Sequence, residues 1–155
     1  GSSFKPFVYA TAFMNGLTPG SVIFDVKTDF GGYSPNNYDG IFAGPVSVRE
    51  SLNRSLNIAA VKAAYIATPQ KIMETIKSLG VLIDGTAEDH QVGLGVGVAE
   101  IQPLSMINAY QVFATDGSYH DPTVILEIQD ATGKILEEFD PEKTKHQGLD
   151  AEISG

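Results

Sequence analysis

The chain has 155 residues, is 43% hydrophobic and 19% charged, and carries a formal net charge of -9. That balance describes one globular domain with a core of its own. It excludes a nucleic-acid binder, because phosphate binding needs clustered Lys and Arg, and disfavours docking on an anionic membrane surface. Cysteine is absent, so disulfides and thiolate chemistry are excluded. No apolar run approaches the ~20 residues of a membrane span, and no signal peptide is visible.

Residues 1–16 predict a helix. Ser2 or Ser3 can cap it, Phe4, Phe7, Val8, Thr11 and Ala12 recur at helical spacing, Pro6 falls in the first turn, and Asn15-Gly16 stops it. Residues 17–46 read as a long ordered loop with little regular structure, punctuated by Gly and Pro and holding Tyr33, Tyr38 and Phe42. A helical region is expected over 47–117. Ser47-Val48-Arg49-Glu50 has the capping-box pattern. Residues 58–67 are apolar nearly all round, as in a buried helix. Thr68-Pro69 opens another helix, with Ile72, Met73, Ile76 and Leu79 on one face. Gly93-Leu94-Gly95-Val96-Gly97 reads as a flexible joint. Gln102-Pro103 starts a helix whose buried stripe is Leu104, Met106, Ile107, Tyr110 and Phe113. Residues 123–139 read as a β-hairpin around Asp130-Ala131-Thr132-Gly133, and 140–155 as a charged linker cut short.

Two short patterns carry chemistry. Ser2-Ser3-Phe4-Lys5 is S-x-x-K: a hydroxyl and an amine three positions apart share a helix face. Serine is a weak nucleophile and needs a base, and lysine serves only when neutral, which burial favours. The helix N-terminus would also direct N–H groups at an oxyanion. Ser55-Leu56-Asn57 is S-x-N, which sets a hydroxyl able to relay a proton beside an amide able to hold a peptide backbone. Ser51-Leu52-Asn53 has the same form, but the capping box places it inside a helix, so Ser55-Leu56-Asn57 is preferred. His90, His120 and His146 share no ligand spacing, and no metal or cofactor is expected. Gly93, Gly95 and Gly97 do not form a nucleotide-binding loop.

Gly1-Ser2-Ser3-Phe4-Lys5-Pro6, Asn37-Tyr38-Asp39-Gly40, Arg54-Ser55-Leu56-Asn57-Ile58, Gly93-Leu94-Gly95, Glu100-Ile101-Gln102-Pro103-Leu104 and Ala109-Tyr110 with Phe113-Ala114 occur in one order. From residue 1 to about 140 this resembles the transpeptidase domain of class A penicillin-binding proteins. The resemblance implies an α+β fold: a partial transpeptidase domain, mostly its helical subdomain plus a hairpin, with the central sheet largely missing. It implies Ser2 as nucleophile toward D-Ala-D-Ala stem peptides, Lys5 as base, Ser55 as proton relay and Asn57 as substrate-binding residue. Peptidoglycan stem peptides are then the substrates and beta-lactams the inhibitors. A glycosyltransferase domain is expected in the same parent chain, and a location on the outer face of the bacterial cytoplasmic membrane, anchored by a segment outside this sequence. The family's third motif, K-T-G, is absent, since Lys143-Thr144-Lys145 lacks the glycine. Its sources would be sequence beyond Gly155 or a complementing chain, and this piece alone is expected to be inactive or nearly so. A serine beta-lactamase or D,D-carboxypeptidase shares both patterns and passes the acyl group to water; a beta-lactam sensor or silent scaffold is the non-enzymatic alternative.

Overall fold

The computed structural model describes residues 1–154 and contains mixed helices and short antiparallel strands, forming two compact units that divide after Ile101. The strands of the described residues form three two-stranded sheets, so the α+β class stands and no larger sheet occurs among them.

In the first unit the chain begins with a 3-10 turn, Ser2–Phe4, which runs into α1 (Lys5–Met14). Neither start carries a side-chain cap. Backbone bonds from Phe4 N to the Gly1 carbonyl (3.0 Å) and from Lys5 N to the Ser2 carbonyl satisfy the first donors instead. Serine capping, expected from sequence, is therefore not used. Pro6 sits in the first turn of α1, where its missing N–H costs nothing.

The stretch 17–46 is not wholly irregular. It contains β1 (Val22–Asp25) and the start of β2 (Gly44–Ser47), paired antiparallel with Val22 opposite Ser47 and Asp25 opposite Gly44. Along β1, Ile23 and Asp25 point inward while Val22 and Phe24 point out. Four residues are too few for the alternation to stand out among the surrounding Gly and Pro.

Ser47 ends β2 and caps α2 (Val48–Asn53), its Oγ accepting from Glu50 N at 3.1 Å. Only half of the expected capping box forms, because the Glu50 carboxylate turns to Arg54 instead, at 2.9 Å. The helix α3 (Asn57–Ala67) buries Ile58, Ala59, Ala60, Val61, Ala63, Ala64 and Ala67. The apolar sequence of this segment fits a helix packed on most of its circumference. Then α4 (Pro69–Ser78) starts from the Thr68 cap and buries Ile72, Met73 and Ile76, with Leu79 just beyond. Each such side chain contributes about 1.5–3 kcal/mol by leaving water.

A short α5 (Ala87–His90), opened by a Thr86–Asp89 capping box, leads into a 3-10 turn over Gln91–Val96. The glycines here are a packing device and not a joint. A Cβ on Gly95 would stand 2.7 Å from both the Ala60 carbonyl oxygen and the Val61 Cα of α3. Only glycine lets the two backbones approach so closely.

The second unit holds α6 (Pro103–Tyr110), a 3-10 turn at Gln111–Phe113, β3 (Ser118–His120), β4 (Glu127–Gln129), β5 (Ile135–Glu138), a 3-10 turn at Pro141–Thr144, β6 (Lys145–Gln147) and α7 (Ala151–Ser154). The helical region expected over 47–117 is thus divided between the units at Ile101. The apolar stripe of α6 is not a core: Leu104 is 62% and Ile107 69% exposed, and only Ala109 of this helix is buried. Periodicity places side chains on one face without saying what covers it. The hairpin β4–β5 forms around the Asp130 turn, whose Oδ1 accepts from Thr132 N (2.8 Å) and Lys134 N (3.1 Å). Residues 140–155, read as linker, instead supply β6, which pairs with β3, Ser118 opposite Gln147. A charged strand exposed along its length has no hydrophobic alternation by which sequence could reveal it.

Candidate active site

Three of the four residues singled out from sequence meet around one amine. Lys5 Nζ donates to the Ser55 carbonyl oxygen at 2.6 Å, to Ser55 Oγ at 3.0 Å and to Asn57 Oδ1 at 2.7 Å. Those three acceptors match the three donors of an ammonium group. Lys5 is only 1% exposed, and desolvation lowers its pKa from 10.5 to about 8. The amine can therefore reach its neutral state near physiological pH. Once neutral it has two N–H donors and a lone pair, and the Ser55 hydroxyl is the one partner of the three that can turn round and donate to it.

Ser2 is exposed and stands one turn ahead of Lys5, in the 3-10 turn where positions three apart eclipse. None of the three Lys5 hydrogen bonds runs to Ser2. The Ser2 and Lys5 backbones are nevertheless tied directly, Lys5 N–H donating to the Ser2 carbonyl.

Ser55 lies between α2 and α3 with φ of +55°, a left-handed conformation that costs a non-glycine residue about 1–2 kcal/mol. The strain has a local result: the Ser55 carbonyl and hydroxyl both point at the Lys5 amine. The rival Ser51 is fully buried in α2, its Oγ donating to the Ser47 carbonyl at 2.9 Å, so Ser51-Leu52-Asn53 is part of the helix.

Around Asn57 the structure adds Asn36 and Asp25, which motif reading did not select, and gives a role to Asn37, which stood in the Asn37-Tyr38-Asp39-Gly40 pattern with none assigned. Asn37 Oδ1 accepts from Asn57 N at 2.7 Å, and Asn57 Nδ2 donates to the Asn36 carbonyl at 2.8 Å. Asn37 Nδ2 donates to Asp25 Oδ2 at 2.8 Å and to the Ile41 carbonyl at 2.9 Å. Asp25 sits in a stretch of Gly, Pro and aromatic residues, where its buried role leaves no local signal. A cavity of about 160 Å³ adjoins Ser55, lined by Asn37, Tyr38, Asp39, Arg54 and Leu56. A cavity of about 690 Å³ between β1 and α3 includes none of Ser2, Lys5, Ser55 or Asn57. Among the described residues no group of His, Cys, Asp and Glu is arranged to hold a metal, and no helix is long and apolar enough to cross a membrane.

A serine at a helix start, a buried lysine one turn on and a serine–asparagine turn against its amine bring the S-x-x-K and S-x-N patterns together in one place. The family model of the penicillin binding protein transpeptidase domain matches residues 1–154, and the chain belongs to that family. It is 33% identical over 144 residues to penicillin-binding protein 2D of Bacillus subtilis, covering 88% of this chain and 20% of that protein. The crystal structure of penicillin-binding protein 1A from Haemophilus influenzae superposes with a TM-score of 0.80 at 34% identity, over 91% of this chain and 22% of that one. The PonA1 protein of Mycobacterium tuberculosis, solved with penicillin V, gives a TM-score of 0.85 over 99% of this chain and 44% of that one; at 23% identity it speaks for the fold. The chain thus spans about a fifth of the length of its first curated relative.

Proposed function

We propose that this chain carries the acylation machinery of a serine D,D-transpeptidase of peptidoglycan synthesis. Ser2 Oγ attacks the carbonyl between the two terminal D-Ala residues of a stem peptide. Neutral Lys5 takes the hydroxyl proton as the bond forms. The tetrahedral carbon collapses, the C–N bond breaks, and the departing D-Ala amine receives a proton through Ser55. Asn57 holds the donor peptide's amide. An amine of a neighbouring stem peptide then attacks the ester, giving the cross-link and restoring the serine. Beta-lactams would acylate the same hydroxyl.

The observation that carries this reading is the Lys5 amine, buried and ringed by Ser55 and Asn57, one turn from an exposed serine. The K-T-G element, a glycosyltransferase domain and an anchor at the outer face of the cytoplasmic membrane belong to the same proposal. K-T-G would come from further along the polypeptide or from a complementing chain. The test is labelling of the full-length protein with fluorescent penicillin, followed by peptide mapping. The adduct is expected on Ser2, lost in Ser2→Ala, and stable for longer than a lactamase would allow. Attachment elsewhere, or no attachment, defeats the proposal, and rapid hydrolysis of the adduct reassigns the site to a lactamase or carboxypeptidase.

A further inference from the structure

The residue opening α3, Asn57, is held from 20 positions earlier in the chain. The N-cap of α3 is Leu56, which offers no side-chain acceptor, so the first N–H groups of the helix need partners from outside. Asn37 Oδ1 supplies one, accepting from Asn57 N at 2.7 Å. The orientation of the Asn37 amide is dictated in turn. Asp25 is 0% exposed and its Oδ2 accepts from Asn37 Nδ2 and from Ala43 N, both at 2.8 Å. A carboxylate offers only acceptors, so the NH₂ end of Asn37 must face it and the oxygen must face Asn57. The other end of Asn57 is closed off by the Asn36 carbonyl, which takes its Nδ2 at 2.8 Å and leaves Oδ1 for the Lys5 amine.

Asp25 Oδ1 is buried with no hydrogen-bond partner among the described residues. An acceptor left bare in the interior is costly. An apolar residue at position 25 would remove that cost, and would also remove what orients Asn37. We propose that Asp25 and Asn37 form a buried positioning frame that sets the direction of the Asn57 side chain and so the hydrogen-bonding state of the Lys5 amine. Asp25 and Asn37 touch no reacting atom in this scheme. They are positioning residues, and the inference rests on the acyl-transfer reading above.

The test is a double-mutant cycle on penicillin acylation by the full-length protein, paired with a measurement that needs no turnover. Asn57→Ala is expected to slow acylation about 100-fold and Asn37→Ala about tenfold, by misplacing the group that touches the amine. In the Asn57→Ala background, Asn37→Ala is expected to add little, because its route to the amine is already gone. Asp25→Asn, which keeps an acceptor but no longer dictates which way Asn37 faces, gives a smaller loss that also disappears in the Asn57→Ala background. It serves if Asn37→Ala does not fold. By hydrogen-exchange mass spectrometry, the peptide over 54–60 is expected to exchange at least about tenfold faster in Asn37→Ala, with α4 unchanged. Losses that multiply independently of Asn57, or exchange over 54–60 that stays as in the parent, overturn the frame. If the parent protein forms no penicillin adduct, the acyl-transfer reading fails, and the exchange measurement still decides whether Asn37 holds the start of α3.

Discussion

The sharpest consequence of the site concerns the proton on Lys5. Burial brings its pKa from 10.5 to about 8. At pH 7 about one amine in eleven is then neutral, against about one in three thousand at the ordinary value, a gain of about 300-fold in competent base. Acylation of the full-length protein by penicillin should rise about tenfold per pH unit up to about 8 and level off above it. Lys5→Arg keeps a cation with several donors but cannot surrender its proton. It should lower acylation by about 10²–10⁴-fold, and what remains should lack the limb near pH 8. The assay is the second-order rate of fluorescent-penicillin labelling between about pH 6 and 10, with a melting curve for each variant. A flat profile across that range, or an Arg variant as fast as the parent, would refute the neutral-amine argument. The same shift has a stability signature of the same sign as a depressed carboxylate's, because burial penalises the charged amine and that penalty is relieved as pH rises. Between about 8 and 10.5 the unfolded chain holds a proton on this lysine that the folded chain has released. Stability gained from this group therefore rises with pH through that window and is constant below it.

Four further outcomes test the fold around the site. Ser55→Ala and Ser55→Gly both lose the hydroxyl and should both slow acylation, but Gly should be the more stable by about 1 kcal/mol because φ is +55°; equal urea midpoints would show that the conformation is not strained. Gly95→Ala should destabilise the protein by about 1–3 kcal/mol, since the backbone atoms of Ala60 and Val61 cannot swing aside for the new methyl group; a denaturation curve matching the parent's would contradict the close approach. Ser47→Ala should cost about 1 kcal/mol through loss of the α2 cap. Glu50→Ala should cost no more than about 0.5 kcal/mol, because its exposed partner is Arg54 and not the cap.

Much of the chain is legible in the sequence alone. The buried helix over 58–67 follows from its all-round apolar sequence, the next start from Thr68-Pro69, and the face through Ile72 and Ile76 from spacing, because a helix brings side chains three and four apart onto one face. The Asp130 turn was equally local. Ser2 and Lys5 were found the same way, being one turn apart. What failed were inferences about partners. Glu50 had the right spacing for a capping box and found Arg54 instead. Gly95 looked like a joint and proved to be a contact with α3. Leu104 and Ile107 had the periodicity of a core and lie exposed.

By itself, then, the order of residues determined which segments coil, where they start and stop, and which hydroxyl and amine stand within one helical turn. Tertiary structure alone decided that the Lys5 amine would meet Ser55 and Asn57, 50 and 52 positions away, and that Asp25 would reach them through Asn37. The physical reason is that spacing encodes neighbours within a turn or a hairpin. A hydrogen bond across the core depends on how whole helices pack, and packing is also what strips water from the amine and loosens its proton.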